Sequence, residues 1–282
     1  MLDKLVIGAA QFGLPYGINN TSNESLSKAQ VHDILNCASD FGINEIDLAE
    51  NYGDVYEKLH NFDLSNFQIT TKLSLKNTST NLYNYFSKKL DLIKKDSFKS
   101  ILIHNPEDLY HKDFNKFIKS IEKLRELGIT KKVGISIYNA DEYYQAKNFF
   151  SPEVVQLPYN FFNRDVIGSI RLEEHQKEIY IRSIFLQGAL LQSKTKKLDK
   201  LKKENIKEFK IYDNYLLENS YSPIQGALSC VLNESGISKI IIGIESKEQL
   251  LEIIDVVKEI RQPASFPDVK IKNELIDPRL WK

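Results

Sequence analysis

Eight short apolar runs rich in β-branched residues recur along the chain, and segments with the periodicity of amphipathic helices lie between them. Strands that are apolar on both faces and alternate with helices are typical of a parallel sheet with helical crossovers. A closed barrel of eight such units needs about 250 residues, and this chain has 282. The pattern therefore predicts an α/β fold, the (β/α)8 TIM barrel. The predicted strands are KLVIGAA, INEIDLA, FQITTKL, KSILIHN, KKVGISI, VVQLPYN, IYIRSIF and KIIIGIE.

The chain is predicted to form one domain over residues 1–282. No linker rich in Pro, Gly or Ser divides it. The most basic stretch, QSKTKKLDKLKKENIKEFK at 192–210, follows the seventh strand. We interpret it as a solvated helix face, with a site for an anionic ligand as the alternative. The last twenty residues, which include Trp281, are predicted to cover either the barrel mouth or the barrel wall.

The overall charge excludes an electrostatic pull toward nucleic acid or anionic membrane, because 38 Lys and Arg balance 38 Asp and Glu. Small molecules are the expected partners.

The N-terminus has no apolar run long enough for export or for crossing a membrane, so we expect a cytoplasmic protein. Cys37 and Cys230 have neither CxxC spacing nor nearby histidines. We expect buried thiols in a reducing compartment, in preference to a metal site or a disulfide.

Polar residues stand at the ends of five consecutive predicted strands, and a tyrosine follows the first of them. In a parallel barrel the carboxyl ends of the strands converge on one mouth, where catalytic residues are found. Taken singly, each residue has an ordinary explanation, such as a helix cap, a surface lysine or a structural histidine. Together they predict a site. They are Asp47, Lys72, His104, Ser136 and Gln156, with Tyr52 five residues after Asp47.

The residue types in this set are suited to handing a proton to a carbonyl oxygen. A phenol has a pKa of about 10 and donates slowly near neutral pH unless a cation stabilises its anion. Lys72 can supply that charge, and Asp47 can keep a desolvated lysine charged through an ion pair. His104 can donate a hydrogen bond that orients the substrate oxygen. Tyr52 would then be the proton donor.

These motifs resemble those of the aldo-keto reductases. The similarity is carried by IDLAENYG, TTKL and LIHNP, which contain Asp47, Tyr52, Lys72 and His104, and by the opening GAAQFGLPYGI. KVGIS and VVQLPYN are similar to the family's fifth and sixth strands. The resemblance extends over residues 5–260. The chain is also similar to a bacterial branch of this family that is linked with surface-polysaccharide synthesis.

The resemblance implies a barrel that binds NADP(H) or NAD(H) and reduces an aldehyde or ketone to an alcohol, or the reverse. It implies that Tyr52 protonates the carbonyl oxygen, that Lys72 and Asp47 tune Tyr52, and that His104 orients the carbonyl. Ser136 and Gln156 would hold the carboxamide of the nicotinamide. A sugar or nucleotide-sugar carbonyl is one candidate substrate.

The nucleotide preference is left open by the stretch after the eighth strand. A helix N-terminus there favours an anion, although Ser246 as N-cap with Gln249 in the first turn is an ordinary helix start. In the family this stretch binds the adenosine side of the cofactor, often with arginines, but here Glu245 and Gln249 stand in their places. Lys247 supplies a positive charge that compensates in part for the missing arginines. The predicted contacts on this side are Gly243, Glu245, Ser246, Lys247 and Gln249.

Strand seven also departs from the family pattern. Arg182, followed by Ser183, stands where many members have an aromatic residue that stacks on the nicotinamide. We include both among the predicted cofactor contacts, because a guanidinium can stack on a ring. Two alternatives for Arg182 are a contact with a substrate carboxylate or phosphate, and an ion pair with a helix acid.

Two other functions compete with a reductase. One is a regulatory protein that binds the nucleotide and reports its redox state with little or no turnover. The other is an aldolase that uses Lys72 as a Schiff-base nucleophile, which the nearby Asp47 disfavours.

Four aromatic residues near the predicted mouth are candidates for a stacking wall or for core packing. They are Phe12, Tyr16, Tyr159 and Phe161.

Overall fold

The computed structural model contains a closed barrel of eight parallel strands, hydrogen-bonded in sequence order from β1 to β8 and back to β1. All eight predicted strands are confirmed. They are β1 (Leu5–Gly8), β2 (Glu45–Asp47), β3 (Gln68–Leu73), β4 (Phe98–Ile103), β5 (Thr130–Ser136), β6 (Val154–Pro158), β7 (Glu178–Arg182) and β8 (Lys239–Gly243). The structure describes residues 1–18, 20, 22–77, 81–171, 177–191, 195–232, 234–260, 266–267, 269, 273–276 and 281.

Helices follow or precede the strands around the outside of the barrel. They are α1 (Ala10–Gly13), α2 (Lys28–Asp40), α3 (Val55–Leu59), α4 (Leu82–Ile93), α5 (Phe114–Glu126), α6 (Ala140–Lys147), α7 (Asp165–Arg171), α8 (Lys196–Glu204), α9 (Ile206–Asn219), α10 (Pro223–Leu232), α11 (Lys247–Glu259) and α12 (Asn273–Ile276). Among the described residues, short 3-10 helices span Leu2–Lys4, Leu75–Asn77, Pro106–Tyr110 and Leu186–Leu191.

The predicted helices are present, with local sequence signals at their starts. Ser27 accepts a hydrogen bond from the backbone N–H of Gln30 at the start of α2, and the Gln30 side chain accepts one from Ser27 in return, which makes a capping box. The basic stretch forms α8 and the start of α9, as predicted, with residues 192–194 outside the described part. Helix α7 is described as far as Arg171, and residues 172–176 lie outside the described residues.

Alternate residues of each strand point into the barrel, which explains how its two ends are built. The interior is filled by a cluster separate from the core beneath the helices, formed by Val6, Leu102, Val154, Tyr180 and Ile241. At the amino ends of the strands, buried Glu45 accepts a hydrogen bond of 2.7 Å from the Tyr180 hydroxyl and forms ion pairs with Lys99 and Lys239. This network closes the bottom of the barrel, so the cavity lies at the other end.

Both cysteines are buried free thiols, as predicted. No helix among the described residues has the length and apolar character needed to span a membrane. In the C-terminal tail, Phe266 packs on Tyr215 of α9, and the carbonyl of Pro267 accepts a hydrogen bond from Arg164, which precedes α7. The rest of the tail is described only at a few positions, and its predicted placement otherwise lies outside the described residues.

Candidate active site

A cavity of about 390 Å³ opens at the carboxyl ends of the strands. The same alternation that places Glu45 at the bottom of β2 places Asp47, two residues later, at its top. The inward positions at the tops of the other strands also carry polar groups or glycine. The predicted residues that line the cavity are Asp47, Tyr52, Lys72, His104, Ser136, Gln156, Arg182, Ser183, Gly243, Glu245 and Gln249. Ser246 and Lys247 do not form part of its wall.

A buried ion pair forms the floor of this site. Lys72 Nζ lies 2.5 Å from Asp47 Oδ2, and their residues are 1% and 3% exposed. The side-chain amide of Gln156 donates a 2.8 Å hydrogen bond to the other carboxylate oxygen of Asp47. Burial lowers the pKa of Lys72, and Asp47 opposes that effect. The pairing occupies Lys72 as a cation, which argues against a role as a Schiff-base nucleophile.

Tyr52 stands above this ion pair, on the loop between β2 and α3. Its ring centroid lies 5.4 Å from Lys72 Nζ and 6.0 Å from the ring of His104, with the two rings nearly perpendicular. Burial, and then the Asp47 carboxylate, raise the pKa of Tyr52, and Arg182 opposes the rise. The phenol is therefore protonated at neutral pH, as a proton donor must be.

His104 is held in its neutral form. Burial, and then the positive charges of Lys72 and Arg182, lower its pKa to about 3. A neutral imidazole carries one N–H, so His104 can donate a single hydrogen bond to an oxygen in the cavity. It does not compete with Tyr52 as a source of protons near neutral pH.

Close backbone packing fixes the loop that carries Tyr52. Gly53 has φ +55°, a conformation that favours glycine. A Cβ on Gly13 would lie 1.7 Å from the carbonyl oxygen of Tyr52, and a Cβ on Gly53 would lie 2.2 Å from that of Gly13. Neither position accepts a side chain without moving the backbone beside Tyr52.

Glu50 anchors the same loop from the other side, and the sequence analysis missed it. Its backbone N–H donates to the carbonyl of Lys72 at 2.9 Å. Its carboxylate accepts hydrogen bonds from the hydroxyls of Tyr56, Tyr85 and Thr71. Three hydroxyl donors on one carboxylate hold the loop against β3 and α4. Glu50 lies two residues before Tyr52, so this cluster acts as a positioning device for the phenol.

We expect Glu50→Gln to lower the free energy of unfolding by about 1–3 kcal/mol, since an amide accepts fewer and weaker hydrogen bonds than a carboxylate. Turnover should fall while the KM for cofactor stays close to that of the wild type, because the change acts on the placement of Tyr52. Urea denaturation and steady-state kinetics measure both. Glu57→Gln, an exposed change on α3, is the matched control. Equal stability and turnover in the two variants would remove Glu50 from this role.

Two buried acceptors in the cavity lack partners. Gln156 Oε1 and Gln11 Oε1 have no hydrogen-bond donor among the described residues. An unsatisfied buried carbonyl oxygen is costly, and a ligand with amide N–H groups would satisfy it. The carboxamide of a nicotinamide is such a group. Gln156 Nε2 donates to Asp47, so Gln156 Oε1 is the atom left for this contact. The residues present therefore fit the nicotinamide cofactor that the family resemblance implies.

The start of α11 combines a helix cap with an acid. Ser246 caps the helix by accepting from the backbone N–H of Gln249 at 3.2 Å, and Gln249 Oε1 accepts from the backbone N–H of Glu245 at 2.8 Å. Glu245 is half-buried, and burial raises its pKa. Its carboxylate lies near the turn at Gly17, where a Cβ would be 3.6 Å from Glu245 Oε1. Gln249 thus serves the helix cap that the sequence analysis considered.

Arg182 lies at the end of β7 with its guanidinium 4.3 Å from the ring centroid of Tyr138. It donates to the carbonyl of Ile137 at 3.1 Å and, at 3.5 Å, to Ser183 Oγ. Within the described ranges no carboxylate forms an ion pair with it. The predicted alternative of an ion pair with a helix acid is therefore not found among these residues.

The loop after β7 has an unusual backbone. Ser183, Leu186 and Gln187 have φ of +58°, +47° and +53°, which is strained for residues with side chains. The carbonyl of Gln187 accepts a 3.0 Å hydrogen bond from the N–H of Ile18, so this loop is tied to the one after α1. These two loops form one side of the mouth.

Several residues of the wall were not predicted as site residues. Gln11, Asn51, Tyr138 and Gln187 all line the cavity. For Tyr138 a signal existed, because it continues the inward alternation beyond Ser136. Of the four aromatic residues considered for a wall, only Tyr16 lines the cavity. Phe12, Tyr159 and Phe161 are buried in the core.

Comparison with known structures shows the same fold. A protein of Pseudomonas aeruginosa described as an aldo-keto reductase has a TM-score of 0.65 and 17% identity, with 91% of this chain and 90% of that chain covered. The holo form of aldo-keto reductase AKR11C1 from Bacillus halodurans has a TM-score of 0.72 and 15% identity, with 93% and 88% covered. A search of curated proteins finds no significant match.

The barrel brings Tyr52, Lys72, Asp47 and His104 together at its mouth. The model of the Aldo/keto reductase family matches residues 4–274. The chain belongs to the aldo/keto reductase family, as the sequence motifs indicated, and this membership implies NAD(P)H-dependent carbonyl reduction.

Proposed function

We propose that this enzyme reduces a small aldehyde or ketone to an alcohol with Tyr52 as the proton donor, and that it works as a single barrel domain in the cytoplasm. The observation that carries the proposal is the meeting of a protonated, partly buried phenol with the Asp47–Lys72 ion pair and neutral His104 at one mouth. A bound reduced nicotinamide supplies the hydride. A sugar or nucleotide-sugar carbonyl is the substrate class suggested by the sequence resemblance.

Each residue of the group has a distinct role in this proposal. His104 donates its one N–H to the substrate oxygen and so fixes the carbonyl near Tyr52. The Tyr52 hydroxyl gives its proton to that oxygen as negative charge develops there. Lys72 and Arg182 place positive charge near the phenol and favour its anion after the transfer. Asp47 keeps Lys72 charged and in place.

The residues that would hold the cofactor lie along the mouth from β5 and β6 to the start of α11. Ser136, Ser183 and the free Oε1 of Gln156 are proposed to hold the nicotinamide carboxamide, which is supported by their shared position in the cavity wall. Gly243 is proposed as a further contact; its lack of a side chain lets Gln11 pack against the end of β8, since a Cβ there would lie 2.8 Å from Gln11 Nε2. We propose that the adenosine side contacts four residues at the start of α11. Glu245 and Gln249 lie in the cavity wall, and Ser246 and Lys247 lie at the helix start.

We expect NADH to bind more tightly than NADPH because of Glu245. A half-buried carboxylate repels a 2′-phosphate, whereas it accepts hydrogen bonds from ribose hydroxyls. Glu245→Arg should shift the ratio of the two dissociation constants toward NADPH by roughly tenfold or more. Titration of reduced-nicotinamide fluorescence measures both constants. Glu248→Arg, an exposed change in the first turn of α11, should leave the ratio near the wild-type value. An equal shift in both variants would contradict a direct role for Glu245.

The function is tested by titrating the protein with NADH and with NADPH and then adding aldehydes and keto-sugars. Saturable binding followed by loss of nicotinamide fluorescence supports the reductase. Tight binding without oxidation by any compound would favour the regulatory, nucleotide-sensing alternative. Binding of neither nucleotide would contradict the proposal at the cofactor site.

A further inference from the structure

Arg182 enters the proposed mechanism only through its positive charge. It is half-buried and lines the mouth together with Tyr52 and His104. The guanidinium of an arginine has five N–H donors in a planar fork. Here one donor reaches Ile137 O and another makes a long contact with Ser183 Oγ. The remaining donors have no acceptor among the described residues.

The acids of the cavity are engaged elsewhere or too far from Arg182. Asp47 is neutralised by Lys72 and also accepts from Gln156. Glu245 forms no ion pair with Arg182, and burial alone accounts for its raised pKa. Arg182 therefore contributes a positive charge that no described carboxylate balances. A partly buried charge without a partner is unfavourable unless a ligand supplies one.

The guanidinium is close to the reacting groups. The positive charge of Arg182 lowers the pKa values of Tyr52, His104 and Lys72. For Tyr52 it opposes the effect of burial, and for His104 and Lys72 it adds to that effect. The guanidinium is held in place by the Tyr138 ring on which it stacks at 4.3 Å. A substrate whose carbonyl is held by Tyr52 and His104 would therefore bring a neighbouring group within reach of Arg182.

We infer that the substrate is an anionic carbonyl compound, whose carboxylate or phosphate binds to Arg182 while its carbonyl lies between Tyr52 and His104. This inference rests on the proposed carbonyl reduction and adds the chemical class of the substrate. A planar guanidinium matches the two oxygens of a carboxylate or phosphate. Its positive charge also disfavours an oxidised nicotinamide cation nearby, which is consistent with use of the reduced cofactor.

The test compares pairs of aldehydes in which one member carries an anionic group and the other a neutral group in its place. One pair is 4-carboxybenzaldehyde and its neutral amide, 4-formylbenzamide; the other is glyceraldehyde 3-phosphate and glyceraldehyde. In the wild type, kcat/KM for at least one anionic member should exceed that of its neutral partner by roughly 10- to 100-fold. The pair that shows the preference distinguishes a carboxylate from a phosphate substrate.

Arg182→Met should reduce this ratio to about one and Arg182→Lys should retain part of it, because a lysine keeps the charge without the fork. NADH binding should be retained in both. Arg125→Met is the matched control, since Arg125 forms an exposed ion pair with Glu153. The inference is overturned by equal kcat/KM for both members of each pair in the wild type. It is also overturned if Arg182→Met keeps the wild-type ratio of kcat/KM for the anionic and neutral aldehydes, even if that variant binds NADH more weakly.

If none of these aldehydes is reduced, the proposed function fails for them and the anion site is tested by binding. Equilibrium dialysis of 4-carboxybenzaldehyde and glyceraldehyde 3-phosphate with the protein and NADH then gives the answer. Saturable binding of one anion that Arg182→Met abolishes and Arg125→Met preserves would support the site without the reaction. Absence of binding of both would overturn it.

Discussion

Replacing Tyr52 with phenylalanine should lower kcat for aldehyde reduction by roughly 100-fold or more, because a positioned general acid contributes about that much. The substitution keeps the ring above Lys72 and beside His104 and removes only the hydroxyl. Burial and Asp47 raise the pKa of Tyr52, so the phenol holds its proton throughout the neutral range. Neither neutral His104 nor Lys72, which is paired with Asp47, replaces it as a donor.

Pre-steady-state and steady-state kinetics with NADH and one aldehyde measure the effect. The dissociation constant for NADH should stay within about twofold of the wild-type value, since the ring and the rest of the mouth are unchanged. Tyr110→Phe, at a residue that is 71% exposed, is the control for removal of a tyrosine hydroxyl elsewhere. Wild-type turnover in Tyr52→Phe would exclude Tyr52 as the proton donor.

Replacing Lys72 with methionine should lower the free energy of unfolding by about 3–5 kcal/mol, because it leaves the Asp47 carboxylate buried without its cation. Gln156 would remain as a donor to Asp47 but carries no charge. Turnover should also fall, by roughly tenfold or more, as the positive charge beneath the phenol disappears. Urea denaturation and kinetics at saturating NADH measure the two effects.

The double variant Asp47→Asn/Lys72→Met separates these effects. Removing both charges leaves no uncompensated buried ion, so the double variant should recover much of the stability lost in Lys72→Met. Its turnover should stay low, because the cation is still missing. A Lys72→Met protein as stable as the wild type would show that Asp47 is protonated or otherwise satisfied. A double variant with wild-type turnover would contradict the catalytic role of the pair.

The barrel could be predicted from the sequence because its units are local. Each strand is a short apolar run, and the caps of the helices, such as Ser27 with Gln30, lie within four residues of what they cap. The group at the mouth could also be predicted, since the carboxyl ends of parallel strands must meet. Asp47, Lys72 and His104 each end a strand or follow one directly.

The contacts that connect distant segments could not be predicted in this way. Gln156 reaches Asp47 across 109 positions of the chain, and Tyr85 reaches Glu50 across 35. No local pattern marks either contact. The unpaired state of Arg182 likewise depends on which acids surround it in space. The sequence suggested an ion pair with a helix acid as one role for Arg182, and the packing around β7 shows no such pair among the described residues.

The most direct test of the account is to follow the hydrogen itself. The protein is incubated with NADH deuterated at both C4 positions and an aldehyde that it consumes, and the alcohol is analysed by mass spectrometry and NMR. The account predicts one deuterium on the former carbonyl carbon, formed at the wild-type rate and much more slowly by Tyr52→Phe. An alcohol without deuterium at that carbon, or NADH that binds saturably without forming any alcohol, would contradict it.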